Sequence, residues 1–117
     1  MAEQSLIIQL RNLGEQAAEV GADALDMLIA LEWRLRHAME GTGTGEVDGH
    51  EIAMDDSEGS LWIFGPDAKA MLKAALPIVC PSPLASGGHV ILCYGPRNET
   101  AHEETFLLGD LCARRSG

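Results

Sequence analysis

One short stretch carries three residue types that acid-base chemistry uses, namely Asp48, His50 and Glu51. Alternate residues of a strand share a face, so Asp48 would lie beside His50 and could orient its imidazole as a general base. No serine or cysteine stands nearby in a nucleophile elbow, and Met54 replaces the second histidine of an H-E-x-x-H zinc motif. We therefore predict no catalytic residue here, and the main interpretation is a polar strand face.

Metal and phosphate motifs are absent from the sequence. No C-x-x-C or H-x-H spacing occurs, and His89 and Cys93 would lie about 13 Å apart along one strand. The glycine-containing loops at 41–45 and 87–88 lack the P-loop and dinucleotide patterns, and the acidic turn at 55–59 lacks EF-hand spacing. We predict no metal and no cofactor.

Acidic residues are concentrated in the middle of the chain. Between Arg36 and Lys69 there is no basic residue, whereas eight positions are acidic: Glu40, Glu46, Asp48, Glu51, Asp55, Asp56, Glu58 and Asp67. Such a flank could steer a basic protein partner, although solubility alone would also explain it. The net charge of -10 would repel phosphate backbones and anionic lipids, so we expect neither nucleic-acid nor membrane binding.

The length and composition indicate one folded domain. The chain has 117 residues, of which 46% are apolar, and we predict a domain at 1–110 followed by a flexible tail at 111–117. No apolar run reaches the roughly 20 residues of a membrane span, and the N-terminal sequence lacks secretory-signal features. Three widely spaced cysteines, Cys80, Cys93 and Cys112, then predict free thiols in a reducing cytoplasm.

Periodicity predicts the elements that position these residues. A strand is expected at 5–11, a partly helical connection at 12–21, and a helix at 22–40 whose apolar stripe comprises Leu28, Leu31, Leu35 and Met39. Trp33 falls outside that stripe and should face outward. The later elements are a strand at 46–54 with a bulge near 48–49, strands at 60–64 and 89–94, a helix from 65–67, and an edge strand at 103–108.

This order of elements is typical of the ferredoxin-like split βαβ fold, in which two helices cover one face of a four-stranded antiparallel sheet. A different α+β sandwich is the alternative. Because Trp62 and Phe64 share one face of their strand and Leu61 and Ile63 share the other, the uncovered face must keep large apolar groups. An exposed apolar face favours association, and we predict a homodimer through the sheet, with a groove for a partner or small ligand as the alternative.

Three short motifs resemble those of a group of small bacterial proteins without an assigned activity. The motifs are G-x-V-D-G-H-E from Gly45, G-P-D-A from Gly65, and a last strand that ends in Tyr94-Gly95. The resemblance covers residues 5 to 95. It implies the ferredoxin-like fold and transfers no catalytic residue.

The sequence leads to two functional hypotheses. The first is an acidic cytoplasmic protein that binds another protein, with a basic protein as the candidate partner, as an inhibitor, immunity or adaptor-type factor. Its predicted partner-binding residues are Trp33, Asp55, Asp56, Glu58, Trp62 and Phe64. The second is a ligand-binding protein or enzyme, with its site either on the open sheet face or near Asp48, His50 and Glu51, where a pocket and a carboxylate in contact with His50 are expected.

Overall fold

The computed structural model describes residues 3–95 and 102–116, and these residues form five strands, four α-helices and one 3₁₀ turn. In chain order the elements are β1 (Gln4–Arg11), α1 (Leu13–Glu19), α2 (Ala24–Thr42), β2 (Glu46–Ile52), β3 (Glu58–Gly65), α3 (Ala68–Val79), the 3₁₀ turn (Pro83–Ala85), β4 (His89–Cys93), β5 (Glu103–Leu107) and α4 (Leu108–Ser116). The predicted α+β class is confirmed.

The strands form one antiparallel sheet in the order β2-β3-β1-β4-β5. The predicted hairpin of β2 and β3 is present, and its register shifts between Val47 and Gly49, which confirms the bulge at Asp48. β5 pairs with β4 at the edge of the sheet, so the expected C-terminal edge strand is also confirmed.

The hydrophobic core lies between one face of the sheet and the helices. Leu6, Ile8 and Leu10 alternate along β1 and are almost completely inaccessible to solvent. They join one cluster with buried residues of α2 and α3. All four members of the predicted α2 stripe are buried, so the helical periodicity correctly identified the face of α2 that packs on the sheet.

The predicted fold has two helices on the sheet, whereas the described residues form four: α1 lies in the connection at 12–21 that was predicted to be partly helical, and α4 was not predicted. Each is short and contributes few apolar side chains to the core, chiefly Leu13 and Ala17 from α1 and Leu108 from α4. Residues 111–116, predicted as a tail, lie in α4, and Gly117 lies outside the described residues. None of the helices in the described part of the chain has the length and apolar character that a membrane crossing requires.

Cys80 and Cys112 form a disulfide, with their Cα atoms 5.5 Å apart. The prediction of three free thiols is therefore wrong for this pair, whose members stand 32 positions apart in the sequence. Cys93 keeps a free, buried thiol. Because disulfides persist mainly in oxidising environments, this bond removes one argument for a cytoplasmic location, which stays a prediction.

The G-P-D-A motif starts α3. Asp67 is the N-cap of this helix, and its carboxylate accepts hydrogen bonds from the backbone N–H groups of Lys69 at 3.0 Å and Ala70 at 3.3 Å. The backbone N–H of Ala68 donates to the side chain of Gln4 at 2.8 Å, which ties the helix start to β1. The motif thus has a structural role, because it satisfies donors that an α-helix leaves unpaired at its N-terminus.

Tyr94, the one tyrosine in the sequence, follows β4 and is half-buried. Its hydroxyl donates to the carboxylate of Glu104 on β5, and its ring stacks on His102 with the centroids 5.7 Å apart. Burial, followed by this hydrogen bond and the negative charge of Glu104, raises the pKa of Tyr94 to about 12.

We expect a titration to show this raised pKa directly. The unfolded chain loses the phenol proton near pH 10, whereas the folded chain holds it until about pH 12. The corresponding stability is full below pH 10 and is lost as the pH rises through 12. Tyrosinate absorbance of the folded and urea-unfolded protein measures both midpoints, and Glu104→Gln should lower only the folded one. Equal midpoints in the two states would contradict the burial of the hydroxyl.

Candidate functional site

The structure separates Asp48, His50 and Glu51. Asp48 is exposed and is the extra residue of the bulge. The alternation of side chains between the two faces of the sheet is therefore interrupted between Asp48 and His50. His50 opposes Leu61, which belongs to the core, and therefore lies on the helix side of the sheet. Glu51 opposes Ser60 and takes the other side. The regular alternation that would place Asp48 beside His50 is therefore interrupted.

Glu32 of α2 supplies the carboxylate that contacts His50. Its Oε1 lies 2.7 Å from Nδ1 of His50, and its Oε2 lies 3.3 Å from both Nε and Nη2 of Arg36. Arg36 also donates from Nη1 to the carbonyl oxygen of Val47 at 2.9 Å. These three side chains, Glu32, Arg36 and His50, are named here the Glu32 cluster. They join α2 to the edge strand β2 and leave neither carboxylate oxygen unpaired.

Glu32 was not predicted as a partner of His50 because the two residues are 18 positions apart in the sequence. Glu32 stands four positions after Leu28 and three before Leu35, on the border of the stripe that packs on the sheet. Only 8% of Glu32 is exposed to solvent. The sequence did contain one indication of this cluster. A carboxylate at the border of the apolar stripe, four residues before an arginine, indicates an ion pair, since helix positions i and i+4 are neighbours.

The Glu32 cluster holds an imidazole in a fixed orientation. The contact between Nδ1 of His50 and Glu32 fixes which ring nitrogen faces α2. Two clefts lie nearby, one of about 220 Å³ beside Arg36 and one of about 250 Å³ between Glu51 and Glu58, but His50 lines neither. Within residues 3–95 and 102–116, no three His, Cys, Asp or Glu side chains come together as metal ligands.

The acidic turn between β2 and β3 is a defined structure. The carboxylate of Asp55 accepts a hydrogen bond from the backbone N–H of Ser57 at 3.0 Å, and bonding to Ser57 lowers the pKa of Asp55. Backbone bonds from Asn12 to Ser57 and from Gly14 to Asp56 fasten the turn to the start of α1. The turn chemistry predicted here is confirmed, and these bonds explain why the carboxylates sit at one end of the sheet.

The sheet face opposite the core is termed the open face. Three rows of residues cross it from β2 to β5: Glu46, Phe64, Ser5, Cys93 and Glu103; Gly49, Trp62, Ile7, Ile91 and Thr105; and Glu51, Ser60, Gln9, His89 and Leu107. Arg11 and Glu58 oppose each other beyond the last row. The centre of this face is therefore apolar, as strand alternation predicts.

Accessibility increases from the middle of the open face toward its margins. Ile7 on β1 and Cys93 on β4, two of the three inner strands, are 3% and 1% exposed. Trp62 and Phe64 on β3 are half-buried, and Leu107 on the edge strand β5 is 59% exposed. The accessible apolar surface thus lies around a filled centre.

Carboxylates stand at both edges of the open face. Glu46 and Glu51 lie on β2, Glu58 begins β3, and Glu103 begins β5, and all four are exposed. Arg11 is the basic residue of β1 on this face and lies in register with Glu58. These four glutamates are named the acidic rim, and they give the margins of the face a net negative charge.

The predicted partner-binding residues do not form one patch. Trp33 is 59% exposed, so its outward position is confirmed, but it lies on α2, on the helix side of the sheet. Glu58, Trp62 and Phe64 share the open face, whereas Asp55 and Asp56 are in the turn at the end of the hairpin. If the open face is the binding surface, Trp33 is not part of it.

Comparisons of the chain with protein-family models, with curated proteins and with solved structures found no match. The resemblance carried by the G-x-V-D-G-H-E, G-P-D-A and Y-G motifs therefore stays a prediction. Function has to be argued from the surface and its charges alone.

Proposed function

We propose that the protein is not an enzyme and acts by binding another protein through the open face, as an inhibitor, immunity or adaptor-type factor. The observation that carries this proposal is the partly accessible apolar surface of Trp62, Phe64 and Ile91, which lies between exposed carboxylates on both sides of the face. Apolar surface favours association, and charged margins select the partner. The partner that fits is a protein with an apolar centre and basic margins.

The strand order supports a ferredoxin-like core for this binding surface. The β2-β3-β1-β4 part of the sheet has the order of that fold, with helical crossovers between β1 and β2 and between β3 and β4. In this proposal α1, β5 and α4 are additions to the core. Because β5 extends the sheet, it widens the open face and adds Glu103 and Leu107 to its margin.

Charge favours a different protein over a second copy of this chain. Two open faces brought together would place acidic rims against each other, and each copy already carries a net charge of -10. Like charges at an interface oppose binding, whereas a basic margin on the partner would attract the rim and accelerate encounter. A homodimer is thus the competing outcome of the test.

The size of the open face sets the expected strength of binding. Five strands about 4.8 Å apart, with strand lengths of roughly 16 to 26 Å, give a face on the order of 500 Å². This is below the roughly 800 Å² per partner of a standard interface. We therefore expect charge attraction to make a necessary contribution, so that added salt weakens the complex.

The test compares two variants with the same change in charge. One reverses three rim residues, Glu46→Lys, Glu51→Lys and Glu103→Lys; the other reverses three exposed acidic residues on the helices, Glu19→Lys, Glu40→Lys and Asp110→Lys. Each variant and the parent protein serve as bait in lysate of the source cell at low and high salt. We expect a basic partner that the parent and the helix variant retain at low salt and the rim variant releases.

Phe64→Ala tests, in the same experiment, the contribution of an apolar side chain to partner binding. Removing this half-buried ring should weaken binding of the captured partner about tenfold, since buried aromatic groups dominate interface energies. Circular dichroism controls for folding. Equal loss of the partner from the rim and helix variants, or a homodimer in light scattering with nothing else bound, would overturn the proposal.

A further inference from the structure

The Cys80–Cys112 disulfide fastens the C-terminal part of the protein to its body. Cys80 follows the last residue of α3, and Cys112 lies in the middle of α4. Both residues are half-buried. In contrast, Cys93 is 1% exposed and its thiol lies 3.3 Å from the carbonyl oxygen of Gly95, which keeps it out of thiol exchange.

Apart from this bond, β5 and α4 are attached by the pairing of β5 with β4, by the hydrogen bond from Tyr94 to Glu104, and by the packing of Phe106, Leu108 and Leu111 on the core. β5 pairs with β4 alone, on one side. α4 has nine residues, and its fully buried anchor is Leu108, whose backbone N–H donates to Gly88 at 2.9 Å. Leu111 adds partial burial. A helix of this length is marginal in water unless tertiary contacts hold it.

β5 carries one margin of the open face. Glu103, Thr105 and Leu107 lie on that face, while Glu104 and Phe106 lie on the other side and are half-buried. Detachment of β5 would remove Glu103 from the acidic rim and Leu107 from the apolar surface. It would also expose the outer edge of β4.

We propose that the Cys80–Cys112 bond is a redox clasp that controls the open face by holding β5 in place; this regulation rests on the proposed binding function. A dithiol reductant would deliver two electrons and two protons to the bond, which gives two thiols, while the dithiol itself becomes a disulfide. The oxidised protein keeps the complete face. The reduced protein opens β5 and α4 and binds more weakly.

The first test uses the protein by itself and so does not depend on a partner. Amide hydrogen exchange is compared before and after reduction with a dithiol. We expect exchange in 103–112 to become at least tenfold faster, with β1 and β3 unchanged. The Cys80→Ser/Cys112→Ser variant should exchange like the reduced protein with or without the dithiol, and Cys93→Ala should still respond to it. Unchanged exchange in 103–112 would overturn the clasp.

The second test separates the clasp from the proposed function. The probe is a synthetic peptide of alternating leucine and lysine, which matches the apolar centre and the acidic rim. We expect the oxidised protein to bind it about tenfold more tightly than the reduced protein. Faster exchange with equal peptide affinity in both states would overturn the regulatory role. A different result would be loss of peptide binding on reduction while the rim and helix charge variants bind the peptide equally well. That result would overturn the open face as the binding surface.

Discussion

Replacing Gly65 with alanine is expected to lower the free energy of unfolding by about 3 kcal/mol, because the new methyl group has no room. A β-carbon at this position would stand 2.6 Å from the carbonyl oxygen of Thr44, 2.9 Å from Sδ of Met71 and 3.1 Å from Cα of Gly45. The methionine side chain can rotate away. The Thr44 and Gly45 contacts are backbone, so the ends of β2 and β3 would have to separate. Urea unfolding measures the loss.

Gly41→Ala is the matched control. Gly41 lies in the last turn of α2, and nothing stands within 4 Å of a β-carbon built there. Alanine in a helix is more favourable than glycine, so this variant should be more stable by about 0.5–1 kcal/mol. A Gly65→Ala protein as stable as the parent would contradict the close approach of the two strand ends.

This packing also explains why the G-x-V-D-G-H-E and G-P-D-A motifs each begin with glycine. Gly45 begins the G-x-V-D-G-H-E motif and Gly65 begins the G-P-D-A motif, and in the fold they meet across the hairpin. A β-carbon at Gly45 would stand 2.6 Å from Sδ of Met71 on α3. Gly65 therefore allows the close approach of two backbone segments, and Gly45 leaves room for the Met71 side chain of α3.

The elements with strong periodicity could be predicted from the sequence. The stripe of α2 and the alternation in β1, β3 and β4 are local patterns that burial on one side imposes. α1 and α4 offer only short patterns, and their helical state depends on single contacts such as Leu13 and Leu108 with the core. The disulfide could not be predicted for a similar reason, since only the fold brings the end of α3 beside α4.

The open face was predictable and the Glu32 cluster was not. Alternation in β3 separates Trp62 and Phe64 from Leu61 and Ile63, so either face of the sheet would be apolar, but it does not tell which pair packs on the helices. The contact between Glu32 and His50 joins positions 18 apart, and it depends on how α2 lies against β2. The bulge at Asp48 then changes which neighbour His50 has. A sequence pattern does not show how α2 lies against β2. It also does not show how the bulge changes the neighbours of His50.

Arg36→Met is expected to lower the free energy of unfolding by about 2 kcal/mol. Glu32, whose side chain is 11% exposed, would keep its carboxylate with His50 as its partner, and the Val47 carbonyl would lose a donor. An uncompensated buried charge is costly, and the 33% exposure of the Arg36 side chain moderates the effect. Arg34→Met is the control, because Arg34 is exposed on the same helix and its loss should change stability by less than about 0.5 kcal/mol.

The double variant Glu32→Met/Arg36→Met identifies the origin of that loss. If the unpaired carboxylate is responsible, removing it as well should recover most of the stability, since apolar groups of similar volume can replace a buried ion pair. A double variant as unstable as Arg36→Met would instead assign the loss to packing of the arginine stem. A double variant more stable than the parent would mean that the charged cluster is kept at a cost in stability. That result would favour a binding role for His50, because stability is commonly sacrificed at functional sites.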